Sequence, residues 1–289
     1  MKIALLGTGL MGYPMGLRLC QAGFTVSAWN RTPEKAQRLL PAGASVQACA
    51  AQAVSGADMV ITMLDNGSVV SEVLFASGVS EALRPGAVVI DMSSIEPRQA
   101  REHAARLAAL QVDHLDAPVS GGTIGAEQGT LAIMVGGAAA VFERARPVLQ
   151  PMGRPTHVGP AGSGQLAKLA NQMIVGITIG AVAEALLLCE KGGADPAQVR
   201  QAIAGGFADS RILQVHGQRM VERDFAARAR MTVQLKDMRN ALSTAQELGF
   251  EAPITGLLEQ LYASGVAHDM ANLDQSGLFV ELARRNGMK

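Results

Sequence analysis

The sequence predicts an α/β chain in two parts: a largely parallel sheet with crossover helices over residues 1–160 and an all-helical domain over 161–289. Three observations predict it. A glycine cluster, Gly7-x-Gly9-x-x-Gly12, follows an apolar run at the start of the chain. Strand-like and helix-like segments then alternate through the first half, as parallel strands joined by crossover helices do. After Gly162 the strand signals stop, and segments of helical apolar period take over at roughly 164–191, 196–204, 231–249, 254–264 and 273–286. The boundary falls at Pro160-Ala161-Gly162.

The elements follow in order. KIALLGTGLMG reads as a buried strand, a glycine turn and a helix start. In that spacing the first glycine permits the tight turn, the second lets the backbone approach a pyrophosphate, and the third lets helix and strand pack closely. The helix then offers free N–H groups to phosphates. Alone, the pattern is also that of a strand-to-helix turn with no ligand; its place at the head of an alternating chain favours a Rossmann-like, dinucleotide-binding domain. FTVSAWNRT is the second strand, whose end inspects the adenosine ribose in such a domain. An acid there would favour NAD. Asn30, Arg31 and Thr32 are neutral and then cationic, suited to a 2′-phosphate and hence to NADP, although Arg-Thr-Pro-Glu is also an ordinary helix entry. DMVITML (58–64) and GAVVIDMSS (86–94) are further buried strands. In VDHLDAPVSGGTIGAEQGTLAIMVGG (112–137) two apolar runs flank a loop holding Ser120, Gly121 and Gly122. Three small residues after a strand can form an anion-binding nest or a plain glycine turn.

Bulk properties bound the function. A chain of 289 residues with 48% hydrophobic residues can fill two ordinary cores. The 25 basic and 25 acidic residues are interspersed, which excludes an electrostatic footprint for nucleic acid or an anionic membrane and leaves small molecules as the expected partners. Cys20, Cys49 and Cys189 are too dispersed for a disulfide framework, and the histidines form no ligand-spaced pair with them, so a reducing cytoplasm and no metal are expected. The first apolar run stops at Gly7, too short for the core of a signal peptide. The stretch from Met173 to Cys189 approaches spanning length but carries Glu184 and lies mid-chain, so a core helix rather than a membrane span is expected. That helix is apolar nearly all round, more than one small helical domain can cover, which predicts a homodimer or homotetramer.

Within the helical half, Lys168 and Asn171 are three residues apart and share a helix face, with Gly164 one turn earlier. Only six lysines stand among the 25 basic residues, so an ammonium at the mouth of an apolar helix calls for a reason. Lys236 and Asp237 interrupt a second apolar helix, with Asn240 one turn on. A snorkelling lysine stem and an exposed helix face are the plain structural readings of these two groups.

Taken together, GTGLMG, DAPVSGG, GSGQLAKLAN and LKD resemble the motifs of the β-hydroxyacid dehydrogenase family, in the right order and over the whole chain. That family includes 3-hydroxyisobutyrate dehydrogenases, 2-hydroxy-3-oxopropionate (tartronate semialdehyde) reductases and glyoxylate/succinic semialdehyde reductases. The resemblance implies that Gly7, Gly9, Leu10, Met11 and Gly12 hold the cofactor pyrophosphate, that Met63 and Leu64 line its site, and that Ser94 lies near the nicotinamide ribose. It implies that Ser120, Gly121 and Gly122 bind the carboxylate of a small substrate, that Asn171 orients it, and that Lys168 transfers the proton. Lys236 would reach toward the cofactor and Asp237 would buttress a closed cleft between the domains. The chain departs from the family at three places: Ser94 stands where many relatives have threonine, asparagine follows Lys168 by three residues with Gln172 next, and Ala229 stands where the semialdehyde reductases usually carry phenylalanine.

The chemistry expected is hydride exchange between NADPH, or NADH, and a short semialdehyde/3-hydroxy acid pair or a 2-oxo acid. An aldehyde that accepts hydride becomes an alkoxide and needs a proton. A partly desolvated lysine can give and retake one near neutral pH, whereas arginine cannot. Two rivals share the two-domain plan: an imine reductase, which typically lacks lysine at this position, and a cofactor-binding module without turnover.

Overall fold

Strand β1 (Lys2–Leu6) forms because its apolar run is buried on both sides: Ile3 and Leu5 enter one core, Ala4 and Leu6 the other. In the computed structural model, which describes residues 1–288, the same alternation repeats along the other central strands. The strands are β2 (Thr25–Trp29), β3 (Ser45–Val46), β4 (Met59–Thr62), β5 (Val88–Asp91), β6 (Asp113–Asp116), β7 (Val119–Ser120), β8 (Leu131–Gly136) and β9 (Gly153–Gly159). Between them run α1 (Gly12–Gln21), α2 (Pro33–Gln37), α3 (Ala50–Val54), α4 (Gly67–Phe75), α5 (Val79–Ala82), α6 (Pro97–Ala108), α7 (Gly122–Gln128) and α8 (Ala139–Leu149). Spatial order is β3-β2-β1-β4-β5-β6-β8-β7, with β9 beside β8. From β3 to β6 the strands are parallel; β8 runs antiparallel to both β6 and β7. The chain reverses its direction of travel across the sheet between β1 and β4, and the crevice beyond the carboxyl ends of such strands is where open α/β sheets bind ligands.

The chain divides into two compact units, the first Met1–Lys168 and the second beginning at Leu169. The second is helical: most of α9 (Ser163–Lys191), then α10 (Pro196–Ile203), α11 (Arg211–Glu222), α12 (Met231–Glu247), α13 (Pro253–Gly265) and α14 (Leu278–Arg285). On α9, Ile179, Val182, Ala183, Leu186 and Leu187 recur at helical spacing and fill the core with Leu213, Met238, Leu258 and Tyr262. The fold is therefore a Rossmann-like parallel-sheet domain followed by a helical one.

Two local readings need correction. The loop expected around Ser120-Gly121-Gly122 contains a short strand, β7, and a short helix, α7. The segment expected as one helix over 273–286 begins with a single 3₁₀ turn, Gln275–Gly277, before α14. Two elements gave no readable sequence signal: β9 alternates only between half-buried and exposed, and α11 carries Gly217 at its centre, which lowers helix propensity. The helix forms across Gly217 because Leu213 and Met220 on either side of it are buried in the core that α9 fills.

Two histidines are buried between α6 and β6. His103 shares a 2.7 Å hydrogen bond with Ser71 Oγ; neither ring nitrogen of His114 has a hydrogen-bond partner, and the two rings lie 6.5 Å apart. Burial pushes His114 down to about 3 and His103 to about 4. Below about pH 6.5 the unfolded chain therefore binds protons the folded chain refuses, so stability falls as pH falls from about 6.5 toward 3. Asp91, raised to about 6 chiefly by burial, acts oppositely between about 4 and 6, and the histidine shifts together exceed it. Thermal melts from pH 7 to pH 4 should show a progressive loss of Tm, and His114→Leu should flatten it. An equal slope in the variant would locate the acid lability elsewhere.

Candidate active site

The three glycines after β1 meet three different demands. Gly7 has φ +101°, and a β-carbon on it would lie 2.3 Å from the Met63 carbonyl oxygen. A β-carbon on Gly12 would lie 2.0 Å from the Gly7 carbonyl oxygen, so strand and helix can pass only if it is absent. At Gly9 a β-carbon meets nothing within 4 Å: the backbone there borders open space, as a pyrophosphate cradle requires. The turn is braced from β2. Gly7 N–H donates to the Trp29 carbonyl (2.9 Å) and Thr8 N–H to Asn30 Oδ1 (2.9 Å), while Asn30 Nδ2 donates to the Thr32 carbonyl (3.0 Å). Asn30 is thus a structural tie across the turn as well as a neutral neighbour for Arg31.

A cavity of about 270 Å³ opens over this turn, lined by Gly7, Gly9, Trp29, Asn30, Arg31, Thr32, Lys35, Met63, Leu64 and Asp65 among others. Seven of the residues singled out in the sequence, Gly7, Gly9, Asn30, Arg31, Thr32, Met63 and Leu64, are therefore gathered here; Leu10 and Met11 are not in the lining, and Gly12 lies behind it. Leu10 is 81% exposed, and Met11 packs partly buried against the sheet. Arg31 is exposed and has no acidic partner within ion-pair distance among the described residues. Lys35, one helical turn beyond it on α2, lines the same cavity and was not singled out; the i, i+4 spacing of Arg31 and Lys35 was its sequence signal. These residues fit a dinucleotide: an open glycine cradle, a free helix terminus and two cations beside the end of β2.

A second group lies at the carboxyl ends of β5 to β7. Ser94 is half-buried in the loop after β5. Gly121 (φ +136°) and Gly122 (φ +63°) follow β7, and a β-carbon on Gly122 meets nothing within 4 Å, leaving its backbone open to a ligand. Lys168 lies near this turn: its Nζ donates to the Val119 carbonyl at 2.9 Å, one residue before Ser120. What brings α9 there is Asp116 at the end of β6. Its carboxylate accepts from Gly162 N–H (2.7 Å) and Gln165 N–H (2.9 Å), capping the start of α9. Burial raises the Asp116 carboxyl, and these backbone donors oppose the rise. Asp116 stands within the DAPVSGG motif, whose small residues had drawn the attention.

The helical unit holds a third group. Asn171 Nδ2 donates to Gln172 Oε1 (2.9 Å), Gln172 Nε2 donates to Asp237 Oδ2 (2.6 Å), and Gln234 Nε2 donates to the Gln172 carbonyl (3.0 Å). Lys236 Nζ lies 3.5 Å from Asp237 Oδ1. Asn171, Lys236 and Asp237 are thus joined through Gln172. Ala229 is held separately, its N–H donating to Asp274 Oδ2 (3.1 Å) and its carbonyl accepting from Gln275 N–H (2.7 Å).

Residues 2–162 match the family described as the NAD binding domain of 6-phosphogluconate dehydrogenase, and residues 162–282 the NAD-binding domain of NADP-dependent 3-hydroxyisobutyrate dehydrogenase. The chain is 43% identical over 280 residues to 2-hydroxy-3-oxopropionate reductase of Escherichia coli strain K12, covering 96% of each protein. The chain belongs to the 3-hydroxyisobutyrate dehydrogenase, or β-hydroxyacid dehydrogenase, family. Another relative in this family, 3-hydroxyisobutyrate dehydrogenase of Pseudomonas aeruginosa, is 36% identical over 285 residues, 96% of this chain and 95% of its own. A solved structure of Mycobacterium tuberculosis 3-hydroxyisobutyrate dehydrogenase with L-serine superposes with a TM-score of 0.90 at 36% identity, over 97% of this chain and 98% of that one. As a member of the β-hydroxyacid dehydrogenase family, the protein is an NAD(P)-dependent oxidoreductase of small hydroxy acids.

Proposed function

We propose that the protein is an NADPH-preferring reductase, reversible as a dehydrogenase, that interconverts a short semialdehyde or 2-oxo acid and its hydroxy acid, with Lys168 as proton donor and acceptor. The observation that carries this reading is the 2.9 Å contact between Lys168 Nζ and the carbonyl of Val119, which puts the only ammonium of the first half of α9 next to the open Gly121-Gly122 backbone. Ser120, Gly121 and Gly122 donate N–H groups to the substrate carboxylate, and Lys168 hands its proton to the oxygen that becomes the alcohol. Asn171, one turn along α9, orients the substrate. The bound nicotinamide supplies or accepts the hydride. Lysine rather than arginine stands at 168 because the group has to release a proton. L-Serine, found with the M. tuberculosis relative, is itself a small 3-hydroxy carboxylate of the class proposed. Three unpaired cysteines suit the reducing, cytoplasmic setting proposed for it.

A spectrophotometric screen of 2-hydroxy-3-oxopropionate, glyoxylate, succinic semialdehyde and 3-hydroxyisobutyrate against both cofactors tests the reading. Turnover of at least one short carboxylate substrate is expected; its absence with all four would overturn the assignment.

Cofactor choice rests on Arg31 with Lys35. Charge-assisted hydrogen bonds to a 2′-phosphate are worth about 1.5–3 kcal/mol, so Arg31→Ala with Lys35→Ala should lower the NADPH/NADH ratio in kcat/KM by roughly 10- to 150-fold. An unaltered ratio would mean the phosphate is read elsewhere.

The protein is further proposed to be a homo-oligomer through the outer face of α9. Among the described residues α9 is the one helix long and apolar enough to cross a membrane, and only 39% of its most apolar window is buried. Ile174 and Leu188 are 66% and 73% exposed, yet Glu184 is exposed between them, a charge that a second copy with a wet rim tolerates better than lipid does. Light scattering should give at least twice 30.1 kDa. A stable monomer at micromolar concentration would contradict it.

A further inference from the structure

Gln165 lies one turn before Lys168 on α9 and is 0% exposed. Its carboxamide pairs with the backbone on both sides of Ser94: Nε2 donates to the Ser93 carbonyl (2.8 Å), and Oε1 accepts from Ile95 N–H (3.1 Å). One planar group thus closes on Ser94 as a neighbouring strand would, and only a carboxamide carries the donor and the acceptor together. The same residue's backbone N–H donates to Asp116 (2.9 Å), so the helix turn is held from below while its side chain holds the loop. Ser93 continues the chain of contacts, its Oγ accepting from Leu64 N–H (2.9 Å) at the lining of the glycine-turn cavity. The turn has no slack: a β-carbon on Gly164 would lie 2.3 Å from the Asp116 carbonyl oxygen and 2.4 Å from that of Met134.

We infer that Gln165 is a positioning residue for the reaction, clamping the Ser94 loop to the turn of α9 that carries Lys168, so that the loop beside the cofactor and the proton donor keep one fixed separation. The inference rests on the proposed role of Lys168. A proton donor must stay within hydrogen-bond reach of the oxygen it serves, and an error of about 1 Å can cost about 10²-fold in rate. The two hydrogen bonds of Gln165 connect the elements on which that distance depends.

The test compares Gln165→Met, which keeps the length and removes both polar atoms, and Gln165→Glu, which keeps an acceptor and loses the donor, with the parent and with Lys168→Ala. Amide hydrogen exchange on the protein without added ligand should accelerate about 10-fold or more at 93–96 and 163–169 in Gln165→Met. With NADPH and whichever compound of the screen turns over, kcat should fall about 10- to 100-fold in both Gln165 variants, with KM and the NADPH dissociation constant within about 3-fold of the parent. The primary isotope effect with 4-deuterated NADPH should rise as hydride transfer becomes limiting. Unchanged exchange in those segments overturns the clamp. So does kcat within twofold of the parent, or a loss of cofactor affinity as large as the loss of kcat, which is the mark of general damage. Lys168→Ala separates the two readings: if it turns over normally, the proton-donor assignment fails, whereas loss in Lys168→Ala with parental rates in both Gln165 variants refutes the positioning role alone.

Discussion

Lys168→Ala is expected to lower kcat by about 10²–10⁴-fold while leaving NADPH affinity nearly intact, because removing the proposed general acid deletes an interaction needed in the chemical step. The proposed cofactor cavity is built from the glycine turn, the end of β2 and the Met63-Leu64 segment, whereas Lys168 donates to the Val119 carbonyl beside the Ser120-Gly122 turn. Lys168→Arg decides what the cation is for. Arginine keeps the charge and could still attract a carboxylate, but it does not surrender a proton near neutral pH. Comparable losses in both variants, with parental melting and cofactor titrations, fit proton transfer. Near-normal turnover in Lys168→Arg would make the residue an electrostatic anchor and assign the acid to another group.

Gly12→Ala should be among the most damaging single-methyl changes in the chain's first unit, and Gly9→Ala its informative contrast. At Gly12 the new methyl would lie 2.0 Å from a backbone oxygen of Gly7, which is itself pinned by its bond to Trp29, so β1 and α1 must separate. A cost of at least about 3 kcal/mol, or about 10 °C in Tm, is expected. Gly9→Ala adds its methyl to open space and should melt like the parent. Its effect should appear only when the dinucleotide must approach the backbone, as about a 5- to 150-fold weaker NADPH affinity, the range of 1–3 kcal/mol for overfilling a close contact. Calorimetry and cofactor-fluorescence titration separate the two. Parental NADPH binding in Gly9→Ala would remove Gly9 from the cradle.

The family and the two-part plan were legible in the residues because both depend on local periods and spacings. Alternating burial along β1 follows from an unbroken apolar run, and the glycine spacing encodes a strand-to-helix turn in which the close approach of Gly12 to Gly7 lies within twelve residues. α9 was legible for the same reason, its core positions recurring at i, i+3 and i+4. What resisted reading was whatever depends on a distant neighbour. β9 is a strand only because β8 lies beside it, and α11 is a helix across its central glycine because Leu213 and Met220 join the core that α9 fills.

The candidate site divides in the same way. Gly7, Gly9, Gly12, Arg31, Ser120 and Lys168 stand in short motifs whose spacing carries their chemistry, so the sequence by itself determined a dinucleotide cradle, a small-residue turn and a lysine of unusual placement. Only the tertiary structure decided how the turn and the lysine meet. Asp116 is 46 residues from Gly162 and Gln165 is 72 from Ser93, yet their hydrogen bonds seat the first turn of α9 and set where the ammonium of Lys168 ends. No periodicity records such pairs: a buried carboxylate or carboxamide is stable only when its partners are supplied, and those partners are backbone groups, identical at every position of the sequence until the chain has folded.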